Sequence, residues 1–277
     1  MTETVDHPTY RVSWNSGTVT KAVFGVASVL TFLDFYLLTG SGFVAPAIPA
    51  ALSVAFWVSL FAFVAVYPLR RAFREAYEGM RSRRWLKALF PSYVAVHLLI
   101  YGFVLEEILQ TIFGLTGYSV KPTVFFSLGN YAFYPHNLWN TLYSASLNPS
   151  VVMLVPPDLG AALGPFAVFS ALVIGVLVVA NLHRLVSLSG RFRRVGGSVA
   201  LPTISVVAGA SCCLSIPELI GLFSPAVSAV LVTPLAGAVL ETLYFLLPLS
   251  VMVGLSVNLR ALTRVRDGES CARHGKD

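Results

Sequence analysis

Six long apolar stretches divide this chain, and the basic residues between them are sorted to one side. The stretches are Thr20–Gly40, Ala47–Tyr67, Pro91–Leu115, Leu163–Leu185, Val199–Leu222 and Val230–Asn258, each near or above the ~20 residues that a helix needs to cross a bilayer core. If each crosses once, Arg11, Lys21, the run from Arg70 to Lys87, Arg184, the group Arg191, Arg193 and Arg194, and the C-terminal group from Arg260 to Lys276 share one side. Of 19 Lys and Arg residues, Lys121 alone falls on the other. By the positive-inside rule the crowded side is cytoplasmic, with both termini inside. Composition agrees: 56% hydrophobic and 12% charged residues, with a mean hydropathy of +0.75, leave too little polar surface to cover a soluble globule.

The sequence therefore predicts an all-α polytopic protein of the plasma membrane, a bundle of about six transmembrane helices. Residues 1–19 are expected to form a cytoplasmic tail, 20–258 the transmembrane domain and 259–277 a second cytoplasmic tail. Residues 1–19 carry Glu3, Asp6 and Arg11 and no basic n-region, so the first span is expected to act as its own insertion signal. The formal charge of +6 reads as topology plus attraction to anionic headgroups of the lipid bilayer; direct nucleic-acid binding is not expected. Three cysteines, two of them adjacent, imply no disulfide framework.

Two connections stand out. The segment 68–87 interleaves Leu69, Phe73, Tyr77 and Trp85 with basic residues and sets Arg71/Glu75 and Arg74/Glu78 four apart, the pattern of a helix lying at the cytoplasmic interface. The external loop, 116–161, holds Tyr118, Phe125, Phe126, Tyr131, Phe133, Tyr134, His136, Trp139 and Tyr143. It is too aromatic for a linker and predicts short interfacial or re-entrant helices, for instance Asn137–Leu147, as a lid over the bundle. Both segments are candidate surfaces for membrane-protein partners.

Ionisable residues inside spans are costly, ~2.5–3.5 kcal/mol for Asp at a helix centre on insertion scales, and are functional candidates for that reason. They are Asp34, Glu106, Glu107, Glu218 and Glu241, with His97. At ~1.5 Å rise per residue, Asp34, Glu106 and Glu218 fall in the outer halves of their spans, where they form a candidate proton or cation site. The plain alternative for any one of them is hydrogen bonding between helices.

Adjacent thiols give the sharpest chemical signal. In Ser211-Cys212-Cys213, followed by Pro217, the proline removes an N–H and its ring clashes with the carbonyl four residues back, that of Cys213, so a helix here kinks beside the pair. Thiolates suit soft ions such as Cu or Hg, and His136 of the external loop completes a candidate metal set. The pattern resembles the vicinal cysteines of mercuric-ion transport proteins, where a Cys-Cys in the first membrane helix is soon followed by proline. That resemblance covers about ten residues and implies soft-metal transfer between Cys212 and Cys213. Cysteine is also a common small residue at helix packing faces, here with Ser205, Ala208, Gly209 and Ser211.

Other chemistries find less support. Glu106-Glu107 is similar to the paired glutamates of intramembrane CAAX-type proteases, but the arginine of that family is missing, with Thr111 at its position. No zincin motif, P-loop or dinucleotide fingerprint occurs, and an enzyme is disfavoured. A haem between His97 and His183 is not expected, since His183 sits beside Arg184 at the polar end of its span.

The sequence thus reads as a small cation or soft-metal permease, with a non-catalytic subunit of a respiratory, secretion or DNA-translocation complex as the alternative. Alanine at Glu106, Glu218 and Glu241, singly, is expected to abolish uptake or metal tolerance in cells while leaving membrane abundance intact. Unchanged activity in all three variants removes the acids from any transport role.

Overall fold

The computed structural model describes residues 16–40, 45–113, 122–128, 137–155, 159–189 and 234–274. The helices are α1 (Ser16–Gly40), α2 (Ala47–Val66), α3 (Arg70–Ser82), α4 (Arg84–Phe113), α5 (Leu138–Leu147), α6 (Pro165–Ser189) and α7 (Pro234–His274). Among the described residues, four segments are long and apolar enough to cross a membrane: Gly17–Gly40, Ala47–Val66, Pro165–Ser187 and Tyr244–Thr263. The fold is that of a mostly helical membrane protein. The predicted fifth span, 199–222, lies outside the described residues. The third predicted span falls in α4 as far as Phe113; α4 starts seven residues before Pro91 and carries that proline inside the helix.

The loop 116–161 differs from its sequence expectation. It contains strands as well as a helix: β1 (Thr123–Ser127), β2 (Ser150–Val155) and β3 (Leu159–Leu163) form an antiparallel sheet in that order. Val151 faces Phe126 across one ladder and Leu163 across the other. The runs TVFFS and SVVMLV are the β-branched and aromatic kind that fits a pleated surface. Between β1 and β2, α5 starts where Asn137 accepts a hydrogen bond from the Asn140 N–H at 2.8 Å, an N-cap. α5 falls on the short helix expected over Asn137–Leu147 and buries Tyr143, Ala145 and Leu147 among its neighbours.

α6 is the central element, packed against α2, α3, α4, α5 and α7, and 78% of its span is buried against 11% for α1. Its N-terminal half joins an aromatic cluster, with Phe166 centred 5.2 Å from Trp57, 5.1 Å from Tyr244 and 4.9 Å from Phe245. Such tilted and edge-on pairs add about 0.5–1.5 kcal/mol each beyond area burial. Polar bonds then fix neighbours in register. Ser53 Oγ and Trp57 Nε1 both donate to the Ala145 carbonyl, at 2.5 and 2.9 Å, supplying partners to a last-turn carbonyl that a helix leaves unpaired. Asn181 donates to the Leu255 carbonyl at 3.1 Å and accepts from Asn258 Nδ2 at 2.8 Å, clasping α6 to α7. Away from water these bonds also discharge an obligation, because an unpartnered amide in hydrocarbon costs several kcal/mol.

The entry to α6 is tight. A Cβ on Gly164 would lie 2.2 Å from the Ser146 carbonyl oxygen, which is backbone and cannot swing aside, whereas a Cβ on Gly254 in α7 would meet nothing within 4 Å. Gly164→Ala is therefore expected to lower stability by at least the ~1–3 kcal/mol typical of overpacking. Gly254→Ala should be neutral or gain up to about 1 kcal/mol of helix propensity. Thermal unfolding of the two variants in detergent checks this, and equal midpoints would contradict the close approach.

Candidate functional site: a docked basic helix

α3 reads RRAFREAYEGMRS and buries Ala72, Glu75, Ala76 and Gly79, the i, i+3, i+4, i+7 stripe of one helix face. Small side chains on that stripe let α3 approach α6 closely. A Cβ on Gly79 would fall 2.9 Å from His183 Cβ. At the centre of the contact Arg184 Nη2 donates to Glu75 Oε1, with side chains only 9% and 3% exposed. The i,i+4 pattern suggested Arg71 as the partner of Glu75. The structure turns Glu75 inward to α6 instead, because its position belongs to the buried stripe while Arg71 is exposed. The second predicted pair, Arg74–Glu78, forms at 3.7 Å on the exposed side, where such pairs contribute little.

α3 is held at both ends. Leu69 N–H donates to the Val64 carbonyl at the end of α2 and Arg83 N–H to the Gly79 carbonyl. The Phe73 ring meets Phe61 edge-on, 5.6 Å away. What α3 leaves exposed is Arg70, Arg71, Arg74, Tyr77, Glu78 and Arg81, and Arg84 and Lys87 at the start of α4 extend the basic surface. Within the buried contact, Arg184 Nε and His183 Nδ1 have no hydrogen-bond partner among the described residues.

The described residues include only part of the sequence-derived site. Asp34 is exposed on α1; Glu106 and Glu107 lie in α4 and Glu241 in α7. The principal neighbours of α1 are α2 and α5, those of α4 are α6, β3 and α3, and that of α7 is α6, so these acid-bearing helices pack chiefly on other elements. Cys212, Cys213, Pro217, Glu218 and His136 lie outside the described residues. Among the described residues no three His, Cys, Asp or Glu side chains gather to hold a metal ion. His97 is fully buried, with Nδ1 3.2 Å from the Tyr93 hydroxyl. Sequence reasoning missed the Glu75–Arg184 pair; the signal was available in the small-residue stripe around Glu75 and in an arginine three residues after Asn181 in an apolar span.

No family model, curated protein or solved structure matches this chain.

Breaking a buried ion pair leaves one charge uncompensated and costs about 3–5 kcal/mol, whereas replacing both partners with apolar groups is often neutral. Arg184→Met alone is expected to loosen α3 from the bundle. The double variant with Glu75→Met should restore thermal stability to near that of the parent. Protease sensitivity within residues 70–82 reads the same loosening, and a single variant no worse than the double one would show that the pair does not hold α3.

Proposed function

We propose that this chain is a non-catalytic subunit of a larger membrane assembly, inserted in the plasma membrane with six spans and both termini inside, with α3 as its cytoplasmic docking surface. The observation that carries this reading is the Glu75–Arg184 pair. A helix that merely rests its cations among headgroups needs no fastening to the bundle, and desolvating two charges to fasten it is costly. The result of that cost is a fixed orientation. Arg70, Arg71, Arg74 and Arg81 are exposed with Tyr77, and arginine and tyrosine are among the residues favoured at protein interfaces. The partner suited to this surface is an acidic cytoplasmic domain or loop.

The permease reading keeps a separate basis in the acids of Asp34, Glu106, Glu107, Glu218 and Glu241, and in Cys212 and Cys213 as soft-metal ligands. The subunit reading is preferred because a built contact, rather than residue type alone, supports it.

Arg74→Ser with Arg81→Ser leaves Arg70, Arg71, Arg83, Arg84 and Lys87 to direct insertion. In native membranes solubilised in mild detergent, the parent chain is expected to migrate within a higher-mass complex, and this variant to be released from it at unchanged abundance. A parent chain recovered as a discrete monomer or homodimer, without other proteins, overturns the subunit reading.

A further inference from the structure

α1 turns one face to α2. Ser28 and Phe35 are buried there, Ser28 Oγ donates to Ser59 Oγ at 3.0 Å, and the rings of Phe32 and Phe56 lie 5.2 Å apart. On the opposite side Val19, Val23, Val26, Leu30, Leu33 and Leu37 are between 40% and 67% exposed. Their spacing alternates four and three, which is the a/d seam of a left-handed helix pair. Beside this seam a groove of about 770 Å³ opens between α1, α2 and α5, lined in part by Gly25, Val29, Leu33 and Trp139.

Lipid tails alone account for six exposed apolar side chains. They do not account for Asp34, which is exposed on the same helix and has no hydrogen bond or ion pair among the described residues. In heptad terms Asp34 holds the e position that flanks the seam, the place where interhelical ion pairs form. Six residues before Gly40, it stands ~9 Å inside that end of the helix, deep enough that a short carboxylate does not reach water by extension, as longer side chains do. Carboxylates at such depth pair with an opposite charge or line a hydrated cavity.

From this we infer that α1 docks a transmembrane helix of another protein, one that packs along the Val19–Leu37 seam and carries a lysine or arginine at the depth of Asp34. The inference rests on the subunit reading above and names the intramembrane half of the interface. Charge complementarity selects this occupant over a second copy of the chain. Copies inserted in one orientation would set Asp34, at its e position, against the apolar Val29 at the g position of the second copy, which leaves the carboxylate without a counter-charge.

The experiment uses the full-length chain in its native membrane, with a photo-crosslinking amino acid placed in turn at Val26, Leu33 and Leu37, and at Phe35 as the inward-facing control. The expected result is one protein adduct from the three seam positions and none from Phe35. Its crosslinked peptide should map to a transmembrane segment that contains Lys or Arg. In a chain that carries the crosslinker and Asp34→Lys, recovery of the adduct should fall roughly 30-fold or more, as for a buried pair that loses one partner. Changing the partner's base to Asp should restore it. Adducts to residues 191–233 of this chain, to a second copy or to lipid alone overturn the inference, as does an adduct that Asp34→Lys leaves unchanged. If the higher-mass complex persists in these cases, the subunit reading stands without the α1 interface; if no complex exists, both fall.

Discussion

Arg184 enters an apolar helix and ends against Glu75, and the arrangement of this bundle follows from having to satisfy that charge. Among the described residues α6 is packed against five other elements and Arg184 is buried, so its guanidinium does not reach water without leaving the packed interior. Bringing Glu75 to it fixes which face of α3 turns inward, and the small residues Ala72, Ala76 and Gly79 allow the approach. The cations left on the other face are then held in one orientation. Hydrophobic association alone would not choose that rotation, since lipid is as apolar as the bundle.

The same requirement explains the remaining polar contacts. Ser53 and Trp57 serve the Ala145 carbonyl, and Asn181 and Asn258 serve each other and the Leu255 carbonyl. Each bond joins two elements, and each lets a polar group lie in a region where water is scarce. The aromatic cluster around Phe166 fills the space between these bonds. Packing supplies area and shape, while the few directional bonds set axial register. A bundle tied in this way has a buried centre at α6 and an open flank at α1, whose span is 11% buried. This contrast places the candidate interaction faces at the periphery, on α3 and α1.

Much of this fold was legible along the chain. Thr20–Gly40, Ala47–Tyr67 and Leu163–Leu185 fall on α1, α2 and α6 almost end to end, and most of Val230–Asn258 falls in α7, because length and apolarity alone mark a helix whose backbone must satisfy itself. The short helix expected over Asn137–Leu147 was legible too, and in the structure the Asn137 side chain caps it by accepting from an N–H three residues on. The sheet escaped notice. TVFFS and SVVMLV are short apolar runs, which periodicity cannot separate from buried helix, and they pair across 22 intervening residues, counted from Ser127 to Ser150.

The candidate sites divide along the same line. Residue type and depth were enough to single out Asp34 before any neighbour was known, since the cost of a carboxyl in hydrocarbon depends on the solvent and not on the fold. The partner of Glu75 was not determined that way. Arg71, four residues away, and Arg184, 109 residues away, are equally basic, and the choice between them rests on which side of α3 faces α6. The sequence by itself determined that this chain would fold as apolar helices with charges sorted between them, because the bilayer acts on each segment separately. Only the tertiary structure decided which charges meet and which face outward, because a side chain's neighbours are set by the rotation of whole helices about one another.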